Sequence, residues 1–125
     1  MKKTIYILGN INDDNDKLPL EIKTALSKKL PDIDFVNFDP NEDLEISENP
    51  IFLDSVLGVK KISIYKDLKN FEESPRNSVH DFDLPVFLGL MLKLKKIKSF
   101  KIVGIPTDYY LEKAVDEVSK LLKRI

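Results

Sequence analysis

Pro50-Ile51-Phe52-Leu53-Asp54-Ser55 is an apolar run that closes on a carboxylate and is followed by Gly58. It reads as a strand whose exit carries Asp54. Thr4-Ile5-Tyr6-Ile7-Leu8 has the same form, β-branched and aromatic residues stopping abruptly at Gly9-Asn10, which is the pattern of a buried strand entering a turn. Between them, Asn12 to Lys17 is a polar loop. Pro19 suits the first turn of a helix with Ile22, Ala25, Leu26 and either Lys29 or Leu30 facing inward, and Pro31 ends it. Ile33 to Phe38 alternates as a further strand and gives way at Asp39-Pro40 to an acidic, aperiodic loop over 41–49.

On the far side of Asp54, Lys61 to Lys66 alternates as a half-exposed strand. Its link through Gly58 is too short for a helical crossover, so it is expected to be an antiparallel edge joined as a hairpin. Phe71 to Asp81 reads as a loop carrying the chain's single histidine, His80. Leu84 to Leu94 is apolar nearly all round, the composition of a helix packed on both sides. Ser99 to Ile105 is a last strand closed by Pro106. Leu111, Ala114, Val115, Val118, Leu121, Leu122 and Ile125 then recur at helical spacing. This order predicts an α/β fold over a single domain, 1–125: a three-layer, open, twisted and mostly parallel sheet of about five strands, with one antiparallel edge strand and helices on both faces.

Composition narrows the function. The 125 residues suit one core and are too few for two. Twenty Lys and Arg against twenty-one Asp and Glu leave a net charge of −1, which provides no general field for nucleic acid or anionic lipid. The lysine runs at 93–98 and 120–124 fall at predicted helix C-termini, where cations complement the helix dipole. With no cysteine, disulfides, thiolate metal sites and a thiol nucleophile are excluded. No apolar run approaches the roughly 20 residues of a membrane span, and Met1-Lys2-Lys3 leads directly into a strand without the features of a secretory signal. The expectation is a cytoplasmic monomer without membrane insertion or a nucleic-acid partner.

Ligands of open α/β sheets bind outside the carboxyl ends of the strands. The groups leaving those ends are Gly9-Asn10 with Asp13, Asp14, Asn15 and Asp16, then Asp39, Asp54, and Thr107-Asp108. Such an acidic rim repels itself unless protons or a cation compensate. An imidazole from His80 shifts the preference from magnesium toward zinc, nickel or iron. Surface aspartates also form turns and caps, and pattern alone does not separate Asp16 from Asp13 or Asp14. There is no phosphate-binding glycine loop, zinc-helix motif or nucleophile elbow.

The order of these motifs resembles the maturation endopeptidases of nickel-iron hydrogenases along nearly the whole chain. The matching elements are Leu8-Gly9-Asn10 leading to Asn15-Asp16-Lys17, Ile51-Phe52-Leu53-Asp54, Ser78-Val79-His80 ahead of an apolar helix, and Val103-Gly104-Ile105-Pro106 before Tyr109-Tyr110. The resemblance implies a peptidase that removes the C-terminal tail of a nickel-loaded large-subunit precursor. It implies Asp16, Asp54 and His80 as metal ligands, with nickel held by the enzyme or carried by the substrate. Asp16, Asp39 and Asn10 are the residues it suggests for catalysis, Asn10 orienting the substrate backbone or a water and Asp39 as an acid–base or supporting group. Asn10 is equally suited to a turn and Asp39 to a strand-end cap. Asn15 and Lys17 stand where the family has an acidic residue and a glycine, so a binding protein that has lost catalysis is an alternative. A receiver domain with Asp54 as phosphoacceptor is another.

Overall fold

Two cores, one on each face of a single sheet, organise the chain in the computed structural model, which describes residues 3–9, 12, 17–40, 45–69 and 80–125, with backbone alone over 80–83. The strands are β1 (Lys3–Ile7), β2 (Ile33–Asn37), β3 (Ile51–Val56), β4 (Ser63–Tyr65) and β5 (Lys101–Pro106). The helices are α1 (Leu18–Lys29), α2 (His80–Lys93) and α3 (Leu111–Arg124). The sheet order is β2-β1-β3-β5-β4, parallel throughout except for β4 against β5. The predicted three-layer α/β architecture is therefore the one adopted.

Strand alternation sorts the side chains between the two cores. Ile5, Ile7, Ile51, Leu53, Val103 and Ile105 face α1 and α3, where they meet Leu18, Ile22 and Leu26 and then Ala114, Val115, Val118 and Leu122. Tyr6, Leu8, Phe52 and Ile102 face α2 and pack on Leu84, Phe87, Leu88 and Met91. Phe38 joins them at the end of β2, with ring centroids 5.2 Å from Tyr6, 5.7 Å from Phe52 and 5.4 Å from Phe87. Leu30 rather than Lys29 completes the inward face of α1.

Four expectations change. First, β3 does not stop at Leu53. It is bonded on both sides, and its ladder to β5 continues through Asp54↔Gly104 to Val56↔Pro106, so Asp54 lies within the strand. Second, β4 is an antiparallel edge as expected, but it pairs with β5 and not with β3; the chain passes over the β5 position before turning back, and no hairpin forms. Third, His80 opens α2 rather than sitting in a loop, because the helical spacing of Leu84, Phe87 and Met91 extends back to it. Fourth, α2 is covered on one face only. Val86 is 72% and Leu90 50% exposed, because the sheet occupies one side of the helix and no further layer lies beyond it among the described residues. Leu111, expected inward, is also exposed at the start of α3.

Gly104 is required by close approach. A Cβ there would lie 2.7 Å from Val56 Cγ2 and 2.9 Å from the ring of Tyr65, both distances shorter than side chains tolerate. A branched methyl and a ring edge cannot swing away as a long flexible chain could. Gly104→Ala is expected to cost on the order of 1–3 kcal/mol by overpacking, read as a lower urea midpoint. Phe52→Ala, which empties a fully buried aromatic site, is expected to cost roughly 3–5 kcal/mol. An unchanged midpoint in either variant would contradict this packing.

Candidate functional site

The chain leaves β1 through α1 to reach β2 on one side, while β3 pairs with β1 on the other. Strand order thus diverges between β1 and β3. In open α/β sheets the carboxyl ends at such a point form a crevice that backbone does not fill. Leu8 N–H donates to Leu53 O at 2.9 Å, so the parallel register continues to the strand ends. It sets Leu8 beside Asp54.

Asp54 is 1% exposed, and its Oδ1 accepts the Ser55 N–H at 2.8 Å. Alternation from Phe52 places it on the α2 face of the sheet. Burying a carboxylate is costly without compensating donors or a cation, and nothing in hydrophobic packing asks for an acid in a strand otherwise composed of Ile, Phe, Leu, Ser and Val. A buried acid at a strand-order switch is a candidate functional position. Ser55 points to the opposite face, and its buried Oγ has no hydrogen-bond partner among the described residues.

The first turn of α2 lies at the same edge. Only residues 94–100 join the end of α2 to the start of β5, so the C-terminus of the helix is held near the N-terminal edge of the sheet. Fourteen helical residues span about 21 Å, the length of a six-residue strand at about 3.3 Å per residue. The N-terminus of α2 therefore reaches the carboxyl edge. The contact of Phe87, midway along the helix, with Phe38, which follows β2, ties α2 to this side of the sheet. Position 80 shares the helix face of Leu84, Phe87 and Met91, by spacings of four, seven and eleven residues. Asp54 and the start of α2 thus lie on one face at one edge.

Asp39 follows β2 at the same edge. It is half-buried and lines a small cavity of about 60 Å³ with Leu8, Gly9, Phe38 and Pro40. β1 separates it from β3, so two strand spacings, roughly 10 Å, divide the Asp39 and Asp54 backbones. These two acids share the edge but are not a touching pair. Asp108 follows β5 and is exposed. Asn10, Asp13, Asp14 and Asp16, and the side chain of His80, lie outside the described residues. Among the described residues no three His, Cys, Asp or Glu are placed to hold a metal ion; of the three expected ligands only the side chain of Asp54 lies within them.

Gly104 and Tyr65 were not singled out as part of this edge by residue chemistry. Gly104 neighbours Asp54 in the ladder and contributes no side chain, so Val56 and Tyr65 close over the gap from either side. A glycine within the apolar run Phe100 to Ile105 is the available signal, since glycine inside a strand marks close approach.

No protein-family model and no curated protein sequence matches the chain. Solved structures do. The [NiFe] hydrogenase maturation protease HybD from Thermococcus kodakarensis is 20% identical, with a TM-score of 0.66 over 97% of this chain and 99% of that one. The hydrogenase maturating endopeptidase HybD from E. coli is 15% identical, with a TM-score of 0.70 over 98% of this chain and 90% of that one. An uncharacterised protein from Wolinella succinogenes is also similar, at 9% identity and a TM-score of 0.62 over 99% and 96%. The chain has the fold of the hydrogenase maturation endopeptidases.

Proposed function

We propose that the chain is a cytoplasmic endopeptidase that removes the C-terminal tail of a nickel-loaded nickel-iron hydrogenase large-subunit precursor. The observation that carries this reading is Asp54, a buried carboxylate at the strand-order switch of a fold shared along nearly its whole length with two such proteases. The metal is carried in by the substrate or bound by the enzyme itself. Asp16, Asp54 and His80 are its protein ligands in this reading, and two carboxylates with one imidazole suit a borderline divalent ion while leaving positions open to the substrate. Nickel held there supplies Lewis acidity next to the scissile carbonyl.

The chain's own groups do the rest. Asn10, at the turn after β1, orients the substrate backbone or a water. A rim carboxylate, Asp16 or Asp39, accepts the proton of the attacking water and returns it to the leaving amine.

A second reading, a binding protein without peptidase activity, has one observation in its favour. Lys17 precedes α1 in an ordinary right-handed conformation, φ −96° and ψ −18°, so this loop does not use the backbone freedom of the glycine found there in the endopeptidases. The receiver reading is opposed by topology. A receiver sheet has the order 2-1-3-4-5, whereas here β4 is antiparallel and lies outside β5.

Incubation with a nickel-loaded precursor is expected to shorten it by its C-terminal tail, seen by intact mass. Asp54→Asn, which keeps the volume, is expected to keep its melting temperature and lose processing. Tail loss that survives the substitution would refute the role of Asp54. Binding without tail loss in the wild type would establish the second reading. In calorimetric titration with nickel, His80→Ala is expected to weaken binding by about tenfold or more, and equal affinities would remove His80 from the ligand set.

A further inference from the structure

The chain carries a second concave surface on the opposite face of the sheet from α2. A cavity of about 310 Å³ lies between the start of β4 and the flank of α3, a volume at the lower end of small-ligand sites. Lys61, Lys120 and Arg124 bring three cations to it over an apolar floor of Ile62 and Leu121. Its one carboxylate, Glu117, accepts the hydroxyl of Tyr109. That bond, with burial and the charge of Glu117, raises the Tyr109 pKa, so the hydroxyl remains a donor and the carboxylate stays engaged. Lys120 also pairs with Asp116 at 3.1 Å, but both groups are largely exposed and such a pair exchanges readily.

The cavity adjoins a sheet edge. β4 is the last strand, and β5 is its only strand partner among the described residues. The outer side of an edge strand offers backbone donors and acceptors to an added strand. Lys60, Lys61 and Lys66 flank β4 in the sequence. Edge lysines oppose pairing with another copy of this edge or with a basic segment, yet the same charges favour an acidic strand.

We propose that β4 and the cavity beside it accept an extended acidic peptide segment as an added strand. The spacing agrees. Lys120 and Arg124 are one turn apart, about 6 Å along α3, and alternate residues of an extended chain are separated by about 6.7 Å. Acidic residues two apart on the added strand would therefore meet Lys120 and Arg124 in turn. The apolar floor accommodates the side-chain stems, and backbone hydrogen bonds to β4 supply sequence-independent affinity. This surface is separate from the Asp54 edge, so its function does not depend on the peptidase reading.

Fluorescence anisotropy with a labelled Val-Glu-Val-Glu-Val-Glu peptide tests the proposal on the full chain. Saturable binding is expected, weakened about tenfold or more by the exposed double substitution Lys120→Glu with Arg124→Glu. The same loss is expected when alternate peptide residues are N-methylated, since this removes strand hydrogen bonds without changing charge. Amide shifts on binding should centre on residues 62–66. No saturable binding, equal affinity for the Val-Lys counterpart, unchanged affinity in the double variant, or full affinity of the N-methylated peptide would each overturn it. None of these outcomes bears on precursor processing.

Discussion

Pairing of β3 on both sides is the constraint on which the rest of the structure depends. β3 is bonded to β1 along Ile51 to Leu53 and to β5 from Ile51 to Val56, and is the central strand of the sheet. Every one of its residues is buried. Backbone groups so enclosed must be satisfied within the ladder, and the ladder in turn fixes the side chain of Asp54 on one face. The acid is therefore held by its strand rather than by a loop, and its position varies little with the conformation of the surrounding turns. A site supported on a strand is more precisely placed than one on connecting segments.

The two faces of the sheet carry different tasks. Burial of Ile, Leu and Val against α1 and α3 forms a continuous aliphatic core. On the α2 face, Tyr6, Phe38, Phe52 and Phe87 form an aromatic cluster, and this cluster holds the middle of α2 against the sheet. Aromatic pairs of this kind add about 0.5–1.5 kcal/mol each beyond area burial. They also favour a defined crossing of helix and sheet. Packing on this face thus serves placement of the site as well as stability. The fold's antiparallel strand β4 lies at the other end of the sheet, where Gly104 lets Tyr65 approach the backbone of β5.

Much of this was legible in the sequence, for physical reasons. The continuous apolar runs of β1, β3 and β5 could only be strands buried on both faces, and the spacing of Ile22 and Leu26, like that of Ala114, Val118 and Leu122, could only be an inward helix face. What remained hidden was non-local. The partner of β4 depends on where β5 enters the sheet, some forty residues later in the chain, and nothing local to Ser63–Tyr65 encodes it. The exposed stripe of Val86 and Leu90 is invisible to periodicity because α2 is apolar on both faces, so no contrast marks the outer one. Asp54 was found as an acid at a strand exit, but its burial comes from the ladder carried on to Val56. The loop after β1, with Asn10 and Asp16, was singled out through resemblance, since turn chemistry alone assigns its six acidic and amide residues interchangeable roles.

Asp54 belongs, in the function proposed, to a metal-contacting site at the switch between β1 and β3. Anomalous diffraction at the nickel absorption edge, from crystals grown with nickel, tests it most directly. A single ordered peak is expected at the carboxyl edge, within about 2.0–2.2 Å of an Asp54 oxygen, with Asp16 and the imidazole of His80 completing the protein ligands. A peak held by other residues, with Asp54 enclosed away from it, would contradict the account.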